Sequence, residues 1–264
     1  MYRAASVATV DLERVREVAR GAALVGGEVV RSGRRPAEGE AKGLPGDWVT
    51  EVDLASEHAI RAYLGAQTPD IPVAGEELGG VTEDLRWVID PLDGTTNFVH
   101  RFPAVGVSVG LVDGDVAIAG AVHAPFLDET WHAARGLGTE WEPHGPCRVS
   151  GRPAAHAVVG TGFPFRRKER LPRYLAAMGS ALETFEDLRR PGAACLDLAW
   201  VACGVFDGFF ELGLAAWDVA AGGLLISEAG GVVTDWQGGP GWLSGDILAG
   251  PPQVHAELLR IAAG

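Results

Sequence analysis

The strongest constraint on the fold is a pair of long apolar runs near the middle of the chain. Residues 105–112 read VGVSVGLV, residues 116–124 read VAIAGAVHA, and Asp113, Gly114 and Asp115 lie between them. Apolar runs joined by a short turn with an Asp-Gly pair are typical of a β-hairpin. We therefore expect strands to cluster in this part of the chain. Other strand-like runs are found at 71–74, 86–89 and 129–136, the last leading into a loop rich in Gly and Pro.

Helical periodicity is found near the start of the chain. Apolar residues recur every three or four positions from residue 12 to about 31, with Asp11 as a predicted N-cap and Gly33 as a predicted stop. A second helix is expected from near Asp53 to before Pro69, after a loop at 34–48. Beyond residue 155, strands are expected at 158–162 and 206–212, followed by one closing strand. Helices are expected near 171–185, 193–204, 217–230 and the C-terminus.

This order of elements predicts the fold class. Strands grouped first and strand–helix alternation later are typical of an α+β half followed by an α/β half. We place the boundary between the halves near residue 150, although no linker marks it. The halves are then 1–150 and 151–264, and they could also count as one domain.

Composition narrows the class of protein. The formal net charge is −13, from 35 acidic and 22 basic residues, which argues against a broad nucleic-acid surface. The three cysteines are too few for a disulfide framework and are expected as free thiols in a reducing compartment. We find neither a secretion signal nor an apolar run long enough to span a membrane, so we expect a cytoplasmic protein.

The segment WVIDPLDGTTNF (87–98) combines an apolar strand with two aspartates and a run of helix-start residues. Pro91 is expected to end the regular strand at Asp90 and to leave nearby carbonyls without obvious partners. Two carboxylates about 4 Å apart repel by roughly 4 kcal/mol at an effective dielectric of 20, unless a cation lies between them. Oxygen ligands favour Mg²⁺ or Mn²⁺ over zinc. A capped helix beside a surface Asp pair is the alternative.

Three other segments offer carboxylates, and each also has an ordinary structural explanation. Glu76 and Glu77 lie between glycines after a short predicted strand, where a surface loop would account for them. Asp218 begins an apolar helix, as an N-cap would. Asp53 lies at the expected start of the second helix, where capping is again the ordinary role. The four segments together favour a metal site over four unrelated roles.

These motifs resemble the signatures of the inositol monophosphatase family, among the Mg²⁺-dependent, lithium-inhibited sugar phosphatases. The resemblance is carried by Glu76-Glu77, by DPLDGTTN (90–97) and by WDVAAG (217–222), and it runs from about Leu12 to the C-terminus. It implies a layered αβαβα sandwich of the inositol monophosphatase and fructose-1,6-bisphosphatase type, usually a homodimer.

The resemblance also implies the ligands of a metal centre with two to three ions. Glu76, Asp90 and the carbonyl of Leu92 are implied to hold a first Mg²⁺. Asp90, Asp93 and Asp218 are implied to hold a second, with Asp90 as the bridge, and a third, weaker ion would lie near Glu76. Mn²⁺ would be able to substitute, whereas Li⁺ or Ca²⁺ would inhibit. Two ions about 3.5–4 Å apart can stabilise both oxygens of an in-line displacement.

Phosphate binding and water activation are implied by the same resemblance. The backbone N–H groups of Gly94 and Thr95 would bind the phosphate, with Lys42 nearby on a flexible loop. The Thr95 hydroxyl, polarised by Asp53, and Glu76 would position and deprotonate the attacking water. Phosphoryl transfer needs placement and charge neutralisation more than covalent help from the protein.

The substrate alcohol is expected to be bound away from the metals. By the resemblance, Gly192, Ala194 and Glu211 would contact ring hydroxyls, together with Asp93. Glu211 could equally be a solvated strand end. Ala215 departs from the pattern, because animal members often carry histidine there, which leaves the fine specificity open.

The leading hypothesis is a phosphomonoesterase acting on inositol 1-phosphate or a related sugar or polyol phosphate. Fructose 1,6-bisphosphate, histidinol phosphate and 3′-phosphoadenosine 5′-phosphate are alternative substrates of the same site. A basic loop (Arg166, Arg167, Lys168 and Arg170) could bind a second phosphate, or it could be a solvated loop. The histidines lack zinc-site spacing. A hypothesis from another class is a regulatory protein that retains the site and binds a macromolecule.

Overall fold

The computed structural model describes residues 10–33, 40–41, 48–81, 83–165 and 167–264. The helices in these ranges are α1 (Leu12–Ser32), α2 (Glu51–Gln67), α3 (Thr95–His100), α4 (Leu171–Thr184), α5 (Ala194–Ala202), α6 (Ala216–Glu228) and α7 (Pro252–Ala263). The strands before residue 150 are β1 (Glu40–Ala41), β2 (Trp48–Val49), β3 (Val73–Gly75), β4 (Leu85–Asp93), β5 (Gly106–Asp113), β6 (Val116–Ala124), β7 (Glu129–Ala134), β8 (Thr139–Glu142) and β9 (Gly145–Pro146). The later strands are β10 (Val158–Thr161), β11 (Asp187–Arg189), β12 (Gly208–Glu211), β13 (Val232–Thr234) and β14 (Ile247–Gly250).

Seven strands form the larger sheet, in the order β3-β4-β5-β6-β7-β8-β9. The predicted hairpin is confirmed: β5 and β6 pair antiparallel, and Gly114 in the turn has a φ of 58°. β3 is parallel to β4, whereas β4 is antiparallel to β5. The strands β8 and β9 lie where a Gly/Pro-rich loop was expected, so that prediction was wrong. They continue the sheet because turns at 135–138 and 143–144 reverse the chain, and Gly136 and Gly138 in the first of these turns have positive φ.

Five strands form the smaller sheet, in the order β11-β10-β12-β14-β13. β10 is parallel to both of its neighbours, and β14 is antiparallel to both of its own. One closing strand was predicted, but two are present. The second was missed because residues 235–246 between them form a loop held by Asp235, which accepts hydrogen bonds from the N–H groups of Gln237, Gly239 and Gly241.

The sheets and helices stack in five layers. Helices α1 and α2 cover one face of the larger sheet, α5 and α6 lie between the two sheets, and α4 and α7 cover the outer face of the smaller sheet. Three clusters of buried apolar side chains fill the spaces between these layers, with Ile89, Leu198 and Phe210 among their members. The predicted αβαβα sandwich is therefore confirmed.

The first two helices begin at the capping residues that their sequences supply. Asp11 accepts a hydrogen bond from the N–H of Arg14 at 3.1 Å and is the N-cap of α1, and Gly33 ends that helix, as predicted. Helix α2 begins at Glu51, with Thr50 as its N-cap, two residues before the predicted start. The loop predicted at 34–48 contains the short antiparallel pair of β1 and β2, and its remaining residues lie outside the described ranges.

Helix α6 packs closely on the larger sheet because two central strands carry glycine opposite it. A Cβ at Gly110 would lie 2.9 Å from the Cβ of Ala220. A Cβ at Gly120 would lie 2.8 Å from the Cα of Ala221. The four small residues let the helix backbone approach the sheet, and this contact sets the depth at which the start of α6 lies relative to β4.

The three cysteines are free thiols, as predicted; Cys147 and Cys195 are buried and Cys203 is partly buried. Among the described residues, no helix is both long and apolar enough to cross a membrane.

Candidate functional site

The site is centred on an irregularity at the end of β4. Asp90 pairs with Ser108 of β5 and Asp93 pairs with Gly106, so two residues of β4 lie opposite one residue of β5. This is a β-bulge, a feature often found beside functional sites. As predicted, the regular ladder ends at Asp90 before Pro91, but the pairing resumes at Asp93 after the bulge. Pro91 does not lack a partner, however, since its carbonyl accepts the Ser56 hydroxyl at 2.9 Å.

Asp90 is the most deeply buried carboxylate at this bulge, with 1% of its surface exposed. Its Oδ1 accepts a hydrogen bond from the N–H of Leu92 at 2.9 Å. Burial, and then the negative charges of Glu76, Asp93 and Asp218, hold the pKa of Asp90 well above its usual range. A carboxylate in such a place favours either a bound proton or a bound cation.

Asp218 reaches the same place from the start of α6. It is the third residue of that helix rather than its N-cap, which is Ala215, so the predicted alternative role of Asp218 as N-cap was wrong. Its Oδ2 nevertheless accepts the N–H of Ala215 at 2.7 Å. The Ser108 hydroxyl of β5 donates to the Trp217 carbonyl at 2.8 Å and ties this helix start to the sheet beside Asp90.

Glu76 completes a cluster of three carboxylates. It follows β3 directly, and its N–H donates to the Ile89 carbonyl of β4 at 3.1 Å. Carboxylate oxygens of Glu76, Asp90 and Asp218 lie within 4.8 Å of one another. At an effective dielectric of 20, each ionised pair at that distance repels by about 3.5 kcal/mol. The all-oxygen donor set fits a hard divalent cation such as Mg²⁺ or Mn²⁺ better than zinc.

Asp93 lies beside this cluster but outside the group of three oxygens. Its Oδ2 accepts the N–H of Cys195, in the first turn of α5, at 2.7 Å. Its charge contributes to the raised pKa of Asp90. Leu92, predicted to ligate through its carbonyl, is buried, and that carbonyl lies 3.3 Å from the Thr95 hydroxyl oxygen. The roles of Asp93 and Leu92 as ligands stay predictions.

Gly94 and Thr95 form a sharp junction between β4 and α3. Gly94 has a φ of 92°, which is why glycine suits this position, and a Cβ there would lie 2.9 Å from the Ala104 carbonyl oxygen. The Thr95 hydroxyl donates to Asp53 Oδ1 at 3.0 Å. The predicted pair of Thr95 and Asp53 is therefore brought together, whereas phosphate binding by the two N–H groups stays a prediction.

Asp53 also stabilises the start of α2. Its Oδ2 accepts the N–H of Thr50 at 2.9 Å and the Thr50 hydroxyl as well. Burial raises the pKa of Asp53 above its usual value, and hydrogen bonds from Thr50 and Thr95 oppose that shift. The capping role and the role toward Thr95 are thus performed by different oxygens of one carboxylate.

The predicted substrate contacts lie around the start of α5 and the end of β12. Gly192 has a φ of 90°, and Ala194 is the first residue of α5. Glu211 ends β12, and its carboxylate lies against Gly162, where a Cβ would be 2.1 Å from both carboxylate oxygens. The side chain of Asn97 bridges α3 to this region, donating to the Pro191 carbonyl at 2.9 Å. Ala215 is the N-cap of α6, so it lies beside the helix turn that carries Asp218.

Asp197 was missed by the sequence analysis. It is 1% exposed, and its Oδ1 has no hydrogen-bond partner among the described residues. Burial, and then the charges of Glu211 and Asp93, hold its pKa well above the usual range. No motif marked it, because the apolar pattern of α5 conceals a single acidic residue; a buried acid among apolar neighbours was the available signal.

Lys42 and Arg166 lie outside the described residues, so their predicted roles are untested. Within the basic loop, Arg170 is engaged in an ion pair with Asp246, whose Oδ1 also accepts the N–H of Gly213 at 2.9 Å. Arg167 and Lys168 are exposed. The engagement of Arg170 favours a structural role for that residue over a free phosphate contact.

A five-layered sandwich with a carboxylate cluster at a strand bulge and a hydroxyl–carboxylate pair beside it has the architecture of the metal-dependent sugar phosphatases. The chain belongs to the inositol monophosphatase family, whose model matches residues 11–263. This family is metal-dependent, in keeping with the acidic cluster.

Individual relatives are similar over most of their length. The Nus factor SuhB of Pasteurella multocida is 42% identical over 219 residues, which cover 81% of this chain and 82% of the relative. The fructose-1,6-bisphosphatase/inositol-1-monophosphatase of Aquifex aeolicus is 40% identical over 257 residues, which cover 96% of each chain. The crystal structure of the extragenic suppressor protein suhB of Bartonella henselae superimposes with a TM-score of 0.87 at 34% identity, covering 94% of this chain and 98% of that one.

Proposed function

We propose that the protein is a Mg²⁺-dependent phosphomonoesterase that hydrolyses inositol 1-phosphate to inositol and phosphate. The observation that carries the proposal is the convergence of Glu76, Asp90 and Asp218 from three separate elements to within 4.8 Å. Bringing three carboxylates together is costly without a cation, and the donor set suits Mg²⁺. The family membership supports phosphatase chemistry.

The roles of the chain's own residues follow from their contacts. Two or three divalent cations held by Glu76, Asp90, Asp218, Asp93 and the Leu92 carbonyl would neutralise the carboxylates and make a bound water more acidic. The Thr95 hydroxyl donates a hydrogen bond to Asp53 Oδ1 at 3.0 Å, and this bond fixes the orientation of the hydroxyl at the end of β4. Asp53 can accept the Thr95 proton while Thr95 accepts one from the attacking water.

The phosphate group and the alcohol part of the substrate would lie on opposite sides of the Asp53–Thr95 pair. The N–H groups of Gly94 and Thr95, with Lys42, would bind phosphate oxygens. Glu211, fixed against Gly162, would accept hydrogen bonds from substrate hydroxyls, with Gly192 and Ala194 lining the same side.

The test is phosphate release from a panel of substrates with Mg²⁺ or with EDTA. The panel contains inositol 1-phosphate, fructose 1,6-bisphosphate, histidinol phosphate and 3′-phosphoadenosine 5′-phosphate. We expect Mg²⁺-dependent release, with the highest kcat/KM for inositol 1-phosphate. Absence of turnover of all four would refute the phosphatase proposal. A higher kcat/KM for another member would retain the reaction and reassign the substrate.

The variant Asp93→Asn tests the proposed set of metal ligands. The asparagine carbonyl can still accept the Cys195 N–H, so we expect the fold to persist while turnover is lost. Asp115→Asn, which makes the same charge change at an exposed position, is its control. A fully active Asp93→Asn enzyme would contradict the proposed ligand set.

A second candidate function is regulatory, because the Pasteurella multocida relative is called a Nus factor. In that case the site would be retained while the cellular role depends on binding a macromolecule. The two functions separate in a deletion strain: rescue of its phenotype by the inactive Asp93→Asn variant would favour the regulatory role, and failure of rescue would favour catalysis. A homodimer and a cytoplasmic location stay predictions.

A further inference from the structure

We propose that Glu57 of α2 is a positioning residue that fixes the metal-binding carboxylate Glu76. The inference rests on the proposed function, because it concerns the cation that this function needs. Glu57 is completely buried, yet it lies outside the group of three carboxylates assigned to the cation. Its oxygens are directed instead at the backbone of the turn that carries Glu76.

The contacts of Glu57 follow Glu76 directly along the chain. Its Oε2 accepts the N–H of Glu77 at 2.8 Å, and its Oε1 accepts the N–H of Leu78 at 3.2 Å. Hydrogen bonds from backbone N–H groups to an ionised carboxylate are about twice as strong as neutral ones. The two bonds therefore hold the peptide planes immediately after Glu76 in one orientation.

Arg61, one turn further along α2, neutralises Glu57 and grips the same turn. Its Nε donates to Glu57 Oε1 at 2.8 Å. Its guanidinium also donates to the Val73 carbonyl at 3.1 Å and to the Gly79 carbonyl. The Glu57–Arg61 pair thus contacts the turn on both sides of Glu76, and the arginine compensates the charge that would otherwise repel the metal ligands.

Glycine on the near side of Glu76 makes this contact possible. A Cβ at Gly75 would lie 2.2 Å from Glu57 Oε1, so the carboxylate occupies the space beneath the residue before Glu76. The turn is closed on itself as well, because Gly75 and Gly79 exchange backbone hydrogen bonds of 2.9 and 3.1 Å. Glu57 is therefore enclosed by the turn it holds.

Helix α2 holds the other parts of the site from the same face. Asp53, Ser56 and Glu57 are spaced by three and four residues, which places them side by side on a helix. Asp53 accepts the Thr95 hydroxyl, and Ser56 donates to the Pro91 carbonyl within the bulge at 2.9 Å. One helix turn thus bonds to all three segments that supply Glu76, Asp90 and Thr95, and Glu57 is the residue that holds the first of them.

The test measures cation binding directly, with Mn²⁺ as the probe, by electron paramagnetic resonance of free Mn²⁺ and by calorimetry. In Glu57→Gln, one backbone N–H meets an amide NH₂ instead of an acceptor, so the turn loses its fixed orientation. Loss of a contact that orients a metal ligand typically weakens metal binding about 10- to 100-fold. We expect a loss of that size, and we expect activity at saturating Mg²⁺ to return toward the wild-type kcat, because excess metal restores occupancy.

Glu257→Gln is the matched control. Glu257 also pairs with an arginine of its own helix, at 2.8 Å from Arg260 Nε, but this pair is exposed and lies on α7. We expect unchanged Mn²⁺ binding in that variant. Should Glu57→Gln fail to fold by circular dichroism, Glu57→Asp keeps the charge that Arg61 needs while withdrawing the oxygens from the turn, and the same weakening is expected.

Each outcome separates the inference from the proposed function. Wild-type Mn²⁺ affinity in folded Glu57→Gln or Glu57→Asp would overturn the positioning role and leave the phosphatase proposal intact. Loss of activity that saturating Mg²⁺ does not restore would also overturn it, since Glu57 would then act on stability or on catalysis itself. Absence of Mn²⁺ binding and turnover in the wild-type protein would overturn both.

Discussion

Neutralising Asp218 should stabilise the metal-free protein. Oxygens of Glu76, Asp90 and Asp218 lie within 4.8 Å of one another, so each ionised pair repels by about 3.5 kcal/mol at an effective dielectric of 20. Asp218 is only partly exposed to solvent, and its neighbour Asp90 has a raised pKa, so a part of this repulsion is already relieved. We therefore expect Asp218→Asn to increase the free energy of unfolding by about 2 kcal/mol without metal.

The substitution is well matched to its structural surroundings. The asparagine carbonyl can accept the Ala215 N–H, which now donates to Asp218 at 2.7 Å. For a chain of this size, 2 kcal/mol corresponds to a rise in Tm of roughly 4–8 °C. Thermal unfolding at pH 7.5 and low salt with EDTA measures it, with Asp115→Asn as the exposed control.

With Mg²⁺ present, the wild-type protein should be more stable than Asp218→Asn. A ligand at 100 times its Kd stabilises the folded state by about 2.7 kcal/mol, a gain open to the wild-type protein and much reduced in the variant. If metal-free Asp218→Asn melts at or below the wild-type temperature, the carboxylates do not repel as their distances imply, and the reasoning for a cation site fails with them.

Three further predictions concern the Thr95 hydroxyl, three buried histidines and the backbone turn at Gly245. Thr95→Ala should lower kcat about 10²-fold or more with little change in Tm, and Thr95→Ser should restore most of it, measured by phosphate release. Burial lowers the pKa values of His123, His132 and His255, so below about pH 6.5 the unfolded chain binds protons that the folded chain does not. These histidines should therefore lower the stability as the pH decreases from 6.5, by up to about 1.4 kcal/mol per pH unit each, whereas protonation of Asp90 and Asp197, whose pKa values are raised, acts in the opposite direction. The histidine effect is measured by urea denaturation as the difference between the wild-type protein and His255→Gln, and a difference that stays constant from pH 7.5 to 5.5 would contradict it. Gly245→Ala, at a φ of 93° where a Cβ would lie 1.8 Å from a backbone carbonyl oxygen, should cost at least about 1–3 kcal/mol in the same urea assay.

Elements with a strong local signal could be predicted from the sequence. The periodicity of α1 and its Asp11 and Gly33 ends depend on neighbouring residues only, as does the hairpin between β5 and β6. Glu76, Asp90 and Asp218 were identified because their motifs resemble a known family, and the structure brings them together. These residues lie far apart in sequence, so the family resemblance of their motifs, and not the periodicity of the chain, linked them to one site.

Features that depend on tertiary contacts could not be predicted. The strand β4 continues past Pro91 because its partner β5 accommodates a bulge, which no local preference of Asp-Pro reveals. Glu57 resembles any acidic residue on a helix surface until the turn after β3 is placed over it. Asp197 is similar: only the packing of α5 between two sheets shows that its carboxyl is buried.

The close approach of α6 to the larger sheet links packing to the choice of ion. Asp218 lies in the first turn of this helix, and its distance from Asp90 is set where Gly110 and Gly120 meet Ala220 and Ala221. Oxygen ligands lie about 2.1 Å from Mg²⁺ and about 2.3–2.6 Å from Ca²⁺, a difference of only a few tenths of an ångström. A methyl group at either glycine would force the helix start, and Asp218 with it, to move. In the proposed metal site such a shift would change the spacing between Asp218 and Asp90, and we expect the preference for one ionic radius over another to change with it.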